Sequence, residues 1–494
     1  MTTSNKITKK SLVTLVELPA TENGELLFEG SNGKVSHNVY SHFKLPSRAL
    51  HILEGILRDN NWENIQSINP EYHGKRGRLT ENNLRRILNS DILLISSITG
   101  TSPQTMKLIK MYSLSNPEGT CIAGGYDSTF RPESYLREGA DIVVCGEAEK
   151  TLPLLMDRLI KDKKSLEDIN GLIYKKRENI EVTNPQIPLS TQELVQISHP
   201  FYDKDTAKNV RVATIETSRG CPNDCEFCGV HEFYKERKYR IKSIDYIIEE
   251  LKQIKDMGFA VFYSADNLTA NPSYSKALFE AIAEENLSRW SMAQVSVDVV
   301  KHPEILKKIK GAGIELLCIG VESFNQSTLD SLGKPYNSKQ NIESLKILNK
   351  EGFFVHGMMM PGGDGDTPQS LKYELECAKK YFSTVQWFPP GPLPGTRLRK
   401  RIEKEGRLLR DEEKWNLYDG HHVLTRPLNF TPYELQKTIN QMNYDFYTNE
   451  RNRKIRDSKN PKARIIYDSI QKGINKVLKS NQMVNHLEFL KSIS

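Results

Sequence analysis

The stretch ETSRGCPNDCEFCGVHEF, residues 216–233, sets three thiols, Cys221, Cys225 and Cys228, at C-x3-C-x2-C spacing directly after an apolar, β-branched run. Three thiolates on one short loop can each hold one iron of a cubane cluster, which leaves the fourth iron without a protein ligand and open to chemistry. Gly220 lets the strand turn sharply, and Pro222, Asn223 and Asp224 suit a loop that wraps round a cluster. His231 lies three residues past Cys228, so a Cys3His zinc site is the competing reading, although structural zinc usually draws its ligands as two separated pairs.

Outward from this loop, residues 206–398 alternate strand and helix patterns. The strands read NVRVATIET, FAVFYSADN, WSMAQVSVD, IELLCIGVES, FFVHGMMMPGG and STVQWFPP, with helical text between them. Six repeats of about 35 residues describe a partial β/α barrel, whose chemistry gathers at the C-terminal strand ends. The cysteine loop falls at the first of these ends. The later ends carry Asp266 and Asn267, then Ser296 and Asp298, then Glu322 and Ser323, then His356 and Gly357. Each of these alone also reads as a helix cap or a solvated loop residue.

The motif, Phe227 before its last cysteine and the strand ahead of it resemble the radical S-adenosylmethionine (SAM) superfamily. The resemblance implies a [4Fe-4S] cluster on Cys221, Cys225 and Cys228, with SAM chelating the open iron. It also implies SAM contacts at Phe227, Asp266, Asn267, Ser296, Glu322 and His356. SADN stands where the family usually has Gly-Gly-Glu, so the pair Asp266 and Asn267 is a variant. The segment KERKYRIKS, residues 235–243, is similar to the family's basic stretch after the cluster loop, which puts Arg237 and Arg240 where they can neutralise cofactor charge.

Residues 1–160 carry an earlier alternation of strands and helices, from LVTLVELP at Leu12–Pro19 to DIVVCGEAE at Asp141–Glu149. Strands separated by helices predict a doubly wound parallel sheet, with ligands beyond the C-terminal strand ends at 96–101, 124–126 and 146–149. No G-x-G-x-x-G follows the first strand, which argues against a dinucleotide fold. The order Ser96-Ser97-Ile98, then Gly124-Gly125, resembles the later part of the cobalamin-binding domain pattern. The resemblance implies cobalamin contacts at Ser96, Ser97, Thr99, Gly124, Gly125 and Glu147. The fuller pattern has a D-x-H-x-x-G whose His coordinates cobalt; here Lys44 and Pro46 stand near those positions, so no lower ligand is expected. His51 lies in a helix pattern and reads as a packed or surface histidine, and His73 follows a different strand.

Residues 161–205 read as a linker with a small hairpin, and 399–494 as a helical region in which Trp415, Tyr418, Tyr444 and Phe446 are core candidates. The basic run RLRKRIEKEGRLLR, residues 397–410, reads as a solvated helix face, and MPGGDGDTPQS, residues 360–370, as a capped turn that also resembles a phosphate cradle. The chain has 494 residues, 38% hydrophobic and 27% charged, with a net charge of +7, a globular balance for two or three domains. Seven cysteines do not describe a disulfide framework, and Cys121, Cys145, Cys318 and Cys377 read as small packed residues. No apolar run approaches the roughly 18 residues of a spanning helix, and the start lacks a secretory h-region, so a cytoplasmic protein is expected, with no membrane partner.

Together the resemblances imply an α/β enzyme that cleaves SAM to a 5′-deoxyadenosyl radical, and a cobalamin-dependent methyl transfer to an unactivated carbon of a small or natural-product substrate. An electron donor such as flavodoxin or ferredoxin is the implied partner. A second reading keeps the radical step but makes the N-terminal domain vestigial, the product being cyclised, oxidised or rearranged. RNA methylthiotransferases share the barrel but carry three N-terminal cluster cysteines and a C-terminal β domain, which do not appear here. A metal- and nucleic-acid-binding module is the non-enzyme reading, and nucleic acid is not the expected partner. No residue is assigned a catalytic role.

Overall fold

The computed structural model describes residues 7–36, 43–161, 165–234, 239–409, 412–448 and 460–494. They fall into two compact units, one built from 7–36, 46–209 and 414–416, the other from 43–45, 210–413 and 417–494.

In the first unit the strands are β1 (Val13–Glu17), β2 (Ile65–Ile68), β3 (Ile92–Ser96), β4 (Thr120–Gly124), β5 (Ile142–Val144), β6 (Leu172–Lys176) and β7 (Asn179–Val182). They make one sheet in the order β2-β1-β3-β4-β5-β6-β7, parallel through β5. Alternation along each strand feeds two cores. Leu15, Leu94, Ile122 and Val144 pack on one face, Val16, Leu93, Ile95, Cys121 and Val143 on the other. Helices cover both faces, as near-continuous apolar strands demand. The first core takes Leu50 and Leu57 of helix Arg48–Asp59 and the second Leu108 and Tyr112 of helix Ser102–Ser115. Thr80 caps helix Glu81–Leu88 through the Asn83 N–H, as its type and place predict.

The 161–205 stretch is more than a linker. Its hairpin, β6 and β7, pairs antiparallel with β5 and extends the sheet, because Leu172 and Tyr174 bury their side chains in the first core. His51 is packed, 1% exposed, with its ring 4.6 Å from that of Tyr202. His73 accepts the Asn69 N–H at Nδ1 and meets Asp203 Oδ2 at 2.9 Å through Nε2.

In the second unit β8 (Val212–Ile215) leads to β9 (Ser218–Arg219) and β10 (Arg240–Ile241), a short antiparallel ribbon. Then come β11 (Ala260–Tyr263), β12 (Ser291–Val295), β13 (Ile314–Glu322), β14 (Phe354–Met359) and β15 (Thr384–Trp387). The wall runs β15-β14-β13-β12-β11-β8, every pair parallel, which is the six-stranded partial barrel that the periodicity predicts. On the edge strand β15, Tyr447 of helix Pro432–Thr448 accepts the Val385 N–H and donates to the Val385 carbonyl, so that edge is satisfied by a side chain.

The helical region beyond the barrel comprises Arg397–Lys404, Pro432–Thr448, Pro461–Leu478 and Asn481–Ser492. Tyr418 and Phe446 are buried as expected, and Trp415 is buried as a residue of the first unit, its ring 3.8 Å from the Arg131 guanidinium, but Tyr444 is 60% exposed, because it stands on the outer face of its helix. At 360–370 the capped-turn reading holds: Asp366 accepts the Gly362 and Gly363 N–H groups, and Thr367 caps helix Pro368–Tyr381.

Candidate functional site

The three-cysteine loop spans the gap between β9 and β10, so the ribbon closes its base. Beneath it, Lys242 is fully buried with Nζ 2.9 Å from Glu216, and Arg219 Nε reaches the same carboxylate at 3.0 Å. Gly220 has φ +82, a left-handed turn that suits glycine, and donates its N–H to Asp266 Oδ2 at 2.7 Å. Burial pushes the Asp266 carboxyl up to about 6, with the Gly220 N–H acting in the opposite direction.

Cys225 is buried, Cys221 and Cys228 are half-buried, and all three are free thiols. Burial raises each thiol pKa, that of Cys228 to about 12, and a bound metal acts in the opposite sense by taking the thiolate form. Among the described residues no three His, Cys, Asp or Glu side chains converge on a single-ion site. In a cubane each thiolate takes its own iron, and this loop supplies three thiols. His231, the fourth ligand of the zinc reading, lies 3.4 Å from Asp224. The loop therefore fits a cluster.

Across the loop lies the 332–337 segment. Glu226 donates its N–H to the Leu332 carbonyl, and Asn223, Ser296 and Asp298 neighbour the Tyr336 hydroxyl, whose pKa burial raises. Lys334 pairs with Glu322 at 3.2 Å, each side chain about one-tenth exposed. Burial opposes the Lys334 charge, but Glu322 and Cys225 outweigh it and hold its pKa above the usual lysine value. Glu322 itself has φ +63 beside a register shift in β13, a conformation that costs a non-glycine residue of order 1–3 kcal/mol. Ser323 donates to Glu374, and Asn267 donates to Ser296 at 2.8 Å.

The structure thus brings Asp266, Asn267, Ser296, Asp298 and Glu322 to one edge with the cysteines. Phe227 is half-buried in the loop itself. His356 belongs to the wall itself. It is 1% exposed in mid-β14, bonded through Nδ1 to Thr384 at 2.9 Å, and burial lowers its pKa to about 4. Gly357 faces the other way, where an added Cβ would strike the Phe382 ring at 2.4 Å. Arg240 is buried, its guanidinium 4.6 Å from the Tyr234 ring, and Arg237 lies outside the described residues.

In the first unit, the β3 and β4 ends form the candidate cobalamin edge. Gly125 has φ +100, and a Cβ there would sit 2.8 Å from Ser96 Oγ and the Ser97 carbonyl; Gly124 meets only the Val144 carbonyl, at 3.9 Å. Ser96 is half-buried and Ile98 is 63% exposed, an apolar side chain on an edge where ligands bind. These features fit a flat macrocycle. Three other expected residues face inward. Ser97 is buried against the Tyr135 hydroxyl, Thr99 is buried in the turn Thr99–Thr101, and Glu147 accepts the Leu189 N–H at 2.6 Å. The small side chains of Ser97 and Thr99 pack beneath the edge, and the loop that follows the hairpin takes the Glu147 carboxylate through Leu189.

Sequence reasoning missed Glu216, Lys242, Lys334, Tyr336, Arg397 and Arg401, whose roles come from chain segments far apart in sequence. It also misread the basic run. Arg401 holds Glu226 by two bonds, Nε to Oε1 at 2.7 Å and Nη2 to Oε2 at 2.9 Å, so this helix packs on the cluster loop.

A cluster loop on a six-stranded barrel and a doubly wound sheet with a glycine-built ligand edge define a cobalamin-type radical SAM enzyme. Residues 215–377 match the model of the Radical SAM superfamily, and residues 38–156 that of the B12 binding domain; the chain belongs to the radical SAM enzymes that carry such a domain. It is 27% identical over 454 residues to an uncharacterized methyltransferase of Pyrococcus horikoshii, covering 89% of this chain and 93% of the relative. It is 25% identical over 351 residues to the anaerobic magnesium-protoporphyrin IX monomethyl ester cyclase of Cereibacter sphaeroides, covering 67% of this chain and 56% of the relative. The solved structure of the cobalamin-dependent S-adenosylmethionine radical enzyme OxsB, with aqua-cobalamin and S-adenosylmethionine bound, shares the fold: TM-score 0.71 and 17% identity over 98% of this chain and 75% of that one.

Proposed function

We propose that the protein transfers a methyl group to an unactivated carbon of a small or natural-product substrate. When bound, the cluster supplies the electron that cleaves SAM to a 5′-deoxyadenosyl radical, and cobalamin supplies the methyl group. The chain's own part is to hold and orient. Cys221, Cys225 and Cys228 hold the cluster, and Asp266 fixes the turn at Gly220 that starts their loop. Glu322 and Lys334 offer the opposite charges that a methionine zwitterion needs, while Asn267, Ser296, Asp298 and Tyr336 offer hydroxyl, amide and carboxylate groups beside them. The β3–β4 edge, with Gly124, Gly125 and Ser96, would hold cobalamin, and no histidine of the chain is assigned to the cobalt.

The observation that carries this reading is the end-to-end likeness to the methyltransferase-named relative, which extends over both domains; the cyclase-named relative is matched over 56% of its length. Among the described residues no helix is long and apolar enough to cross a membrane. The free thiols and an oxygen-sensitive cluster suit a reducing, cytoplasmic setting with flavodoxin or ferredoxin as donor.

The test is cobalamin stoichiometry. Protein with an intact cluster should take up about one cobalamin per chain. Uptake of none would leave the second reading, a radical cyclisation, oxidation or rearrangement with a vestigial first domain.

A further inference from the structure

Cys225 is flanked by two carboxylates, Asp224 and Glu226. A cluster with thiolate ligands is itself anionic, so carboxylates beside it raise the electrostatic cost of adding an electron. Both are met by one helix, Arg397–Lys404, which follows the last barrel strand. Arg397 Nη2 donates to Asp224 Oδ1 at 2.7 Å and to the Asp224 carbonyl at 2.8 Å. Arg401 grips Glu226 with the fork described above, and its Nη1 reaches Asp364 Oδ2 at 2.6 Å. Arg407 holds the other oxygen of Asp364, also at 2.6 Å. Main-chain bonds repeat the grip, since Leu398 N–H donates to the Glu226 carbonyl at 3.0 Å. With Glu226 N–H already given to Leu332, the residue after Cys225 is fixed on both sides.

We propose that Arg397 and Arg401 are positioning residues that clamp the cluster loop and compensate its two carboxylates, so that the helix after the barrel sets both the retention and the reduction potential of the cluster. Planar two-bond arginine–carboxylate pairs fix geometry as well as charge, which a lysine would not reproduce. The side chains of Arg401 and Glu226 are 29% and 18% exposed, so solvent screens the pair without removing it. An open cleft of about 450 Å3, lined by Asp224, Glu226, Asp364, Arg397 and Arg401, lies on this side of the loop.

The inference rests on the cluster assignment and is independent of the group transferred. Full-length protein, reconstituted without oxygen, is the starting point; a wild-type chain that holds no iron defeats the assignment itself. Iron release to a chelator and the midpoint potential, followed by electron paramagnetic resonance, are then compared across variants. Arg401→Met should release iron about fivefold faster and show a lower potential, because Glu226 is left uncompensated. Glu226→Gln with Arg401→Met should release iron no faster than Arg401→Met alone, since both changes break one contact. Its potential should return towards the wild-type value, because both charges are gone. Arg397→Met, at a side chain 46% exposed, tests the Asp224 arm where loss of the fold is not at issue. Wild-type release and potential in both arginine variants, or additive effects in the double variant, would overturn the proposal.

Discussion

Asp266 accepts the Gly220 N–H at 2.7 Å, so a carboxylate after the second barrel strand grips the residue immediately before Cys221. Its removal should loosen the cluster loop as well as weaken SAM binding. Losing a hydrogen bond to a charged acceptor costs about 1.5–3 kcal/mol. Asp266→Ala is expected to lower iron content on reconstitution and SAM affinity together. Glu322→Ala, whose partner is Lys334 and not the loop backbone, is expected to lower SAM affinity at unchanged iron content. Iron assay and equilibrium dialysis decide between the two patterns.

Three thiols should carry the whole cluster. Cys225→Ala should abolish iron uptake, whereas Cys121→Ala and Cys318→Ala, in strands β4 and β13, should leave about four irons per chain and only lower stability.

Gly125→Ala should fail twice. The φ of +100 and a Cβ 2.8 Å from Ser96 Oγ and the Ser97 carbonyl predict a loss of about 1–3 kcal/mol in denaturant unfolding. The same displacement moves the β3 and β4 ends, so cobalamin uptake should fall with the cluster intact. His73 is engaged by Asn69 and Asp203, and His51 is packed on Tyr202, so changing either should leave the cobalt(II) spectrum free of imidazole nitrogen splitting, as in wild type.

Burial lowers the pKa of His51 to about 4, against an unfolded value of 6.5. Between those values the unfolded chain binds the proton and the folded chain does not, so stability falls as pH falls from about 6.5 towards 4. It is fully present above 6.5. One such group contributes roughly 3 kcal/mol over that window. His51→Phe should flatten the pH dependence of the unfolding midpoint there; an unchanged slope would mean His51 is not held neutral.

The fold was legible because apolar alternation and strand–helix periodicity are local. The two cores on either face of the first sheet follow directly from VTLVE and ILLIS, and the Cys221–Cys228 spacing needs no tertiary information. What was illegible depends on segments that meet only on folding. Lys334 and Tyr336 look like turn residues in GKPYN, and nothing local tells that they cross the cluster loop. Arg401 sits 175 residues from Glu226 in the chain, so a run that reads as a solvated helix face hides its pairing. Ser97, Thr99 and Glu147 lie at strand ends, yet their side chains turn inward, Ser97 to Tyr135 and Glu147 to the Leu189 N–H in the loop after the hairpin. His356 is a buried strand residue in mid-wall, and its bond to Thr384 on the neighbouring strand is not legible in the sequence.

The reading as a methyl-transferring radical enzyme meets its most direct test in reduced, anaerobic protein loaded with cluster and cobalamin and given SAM labelled with a CD3 group. The account predicts 5′-deoxyadenosine together with CD3-labelled methylcobalamin on the protein, both lost in Cys225→Ala or, for the labelled cobalamin, in Gly125→Ala. 5′-Deoxyadenosine with no label on bound cobalamin would contradict it.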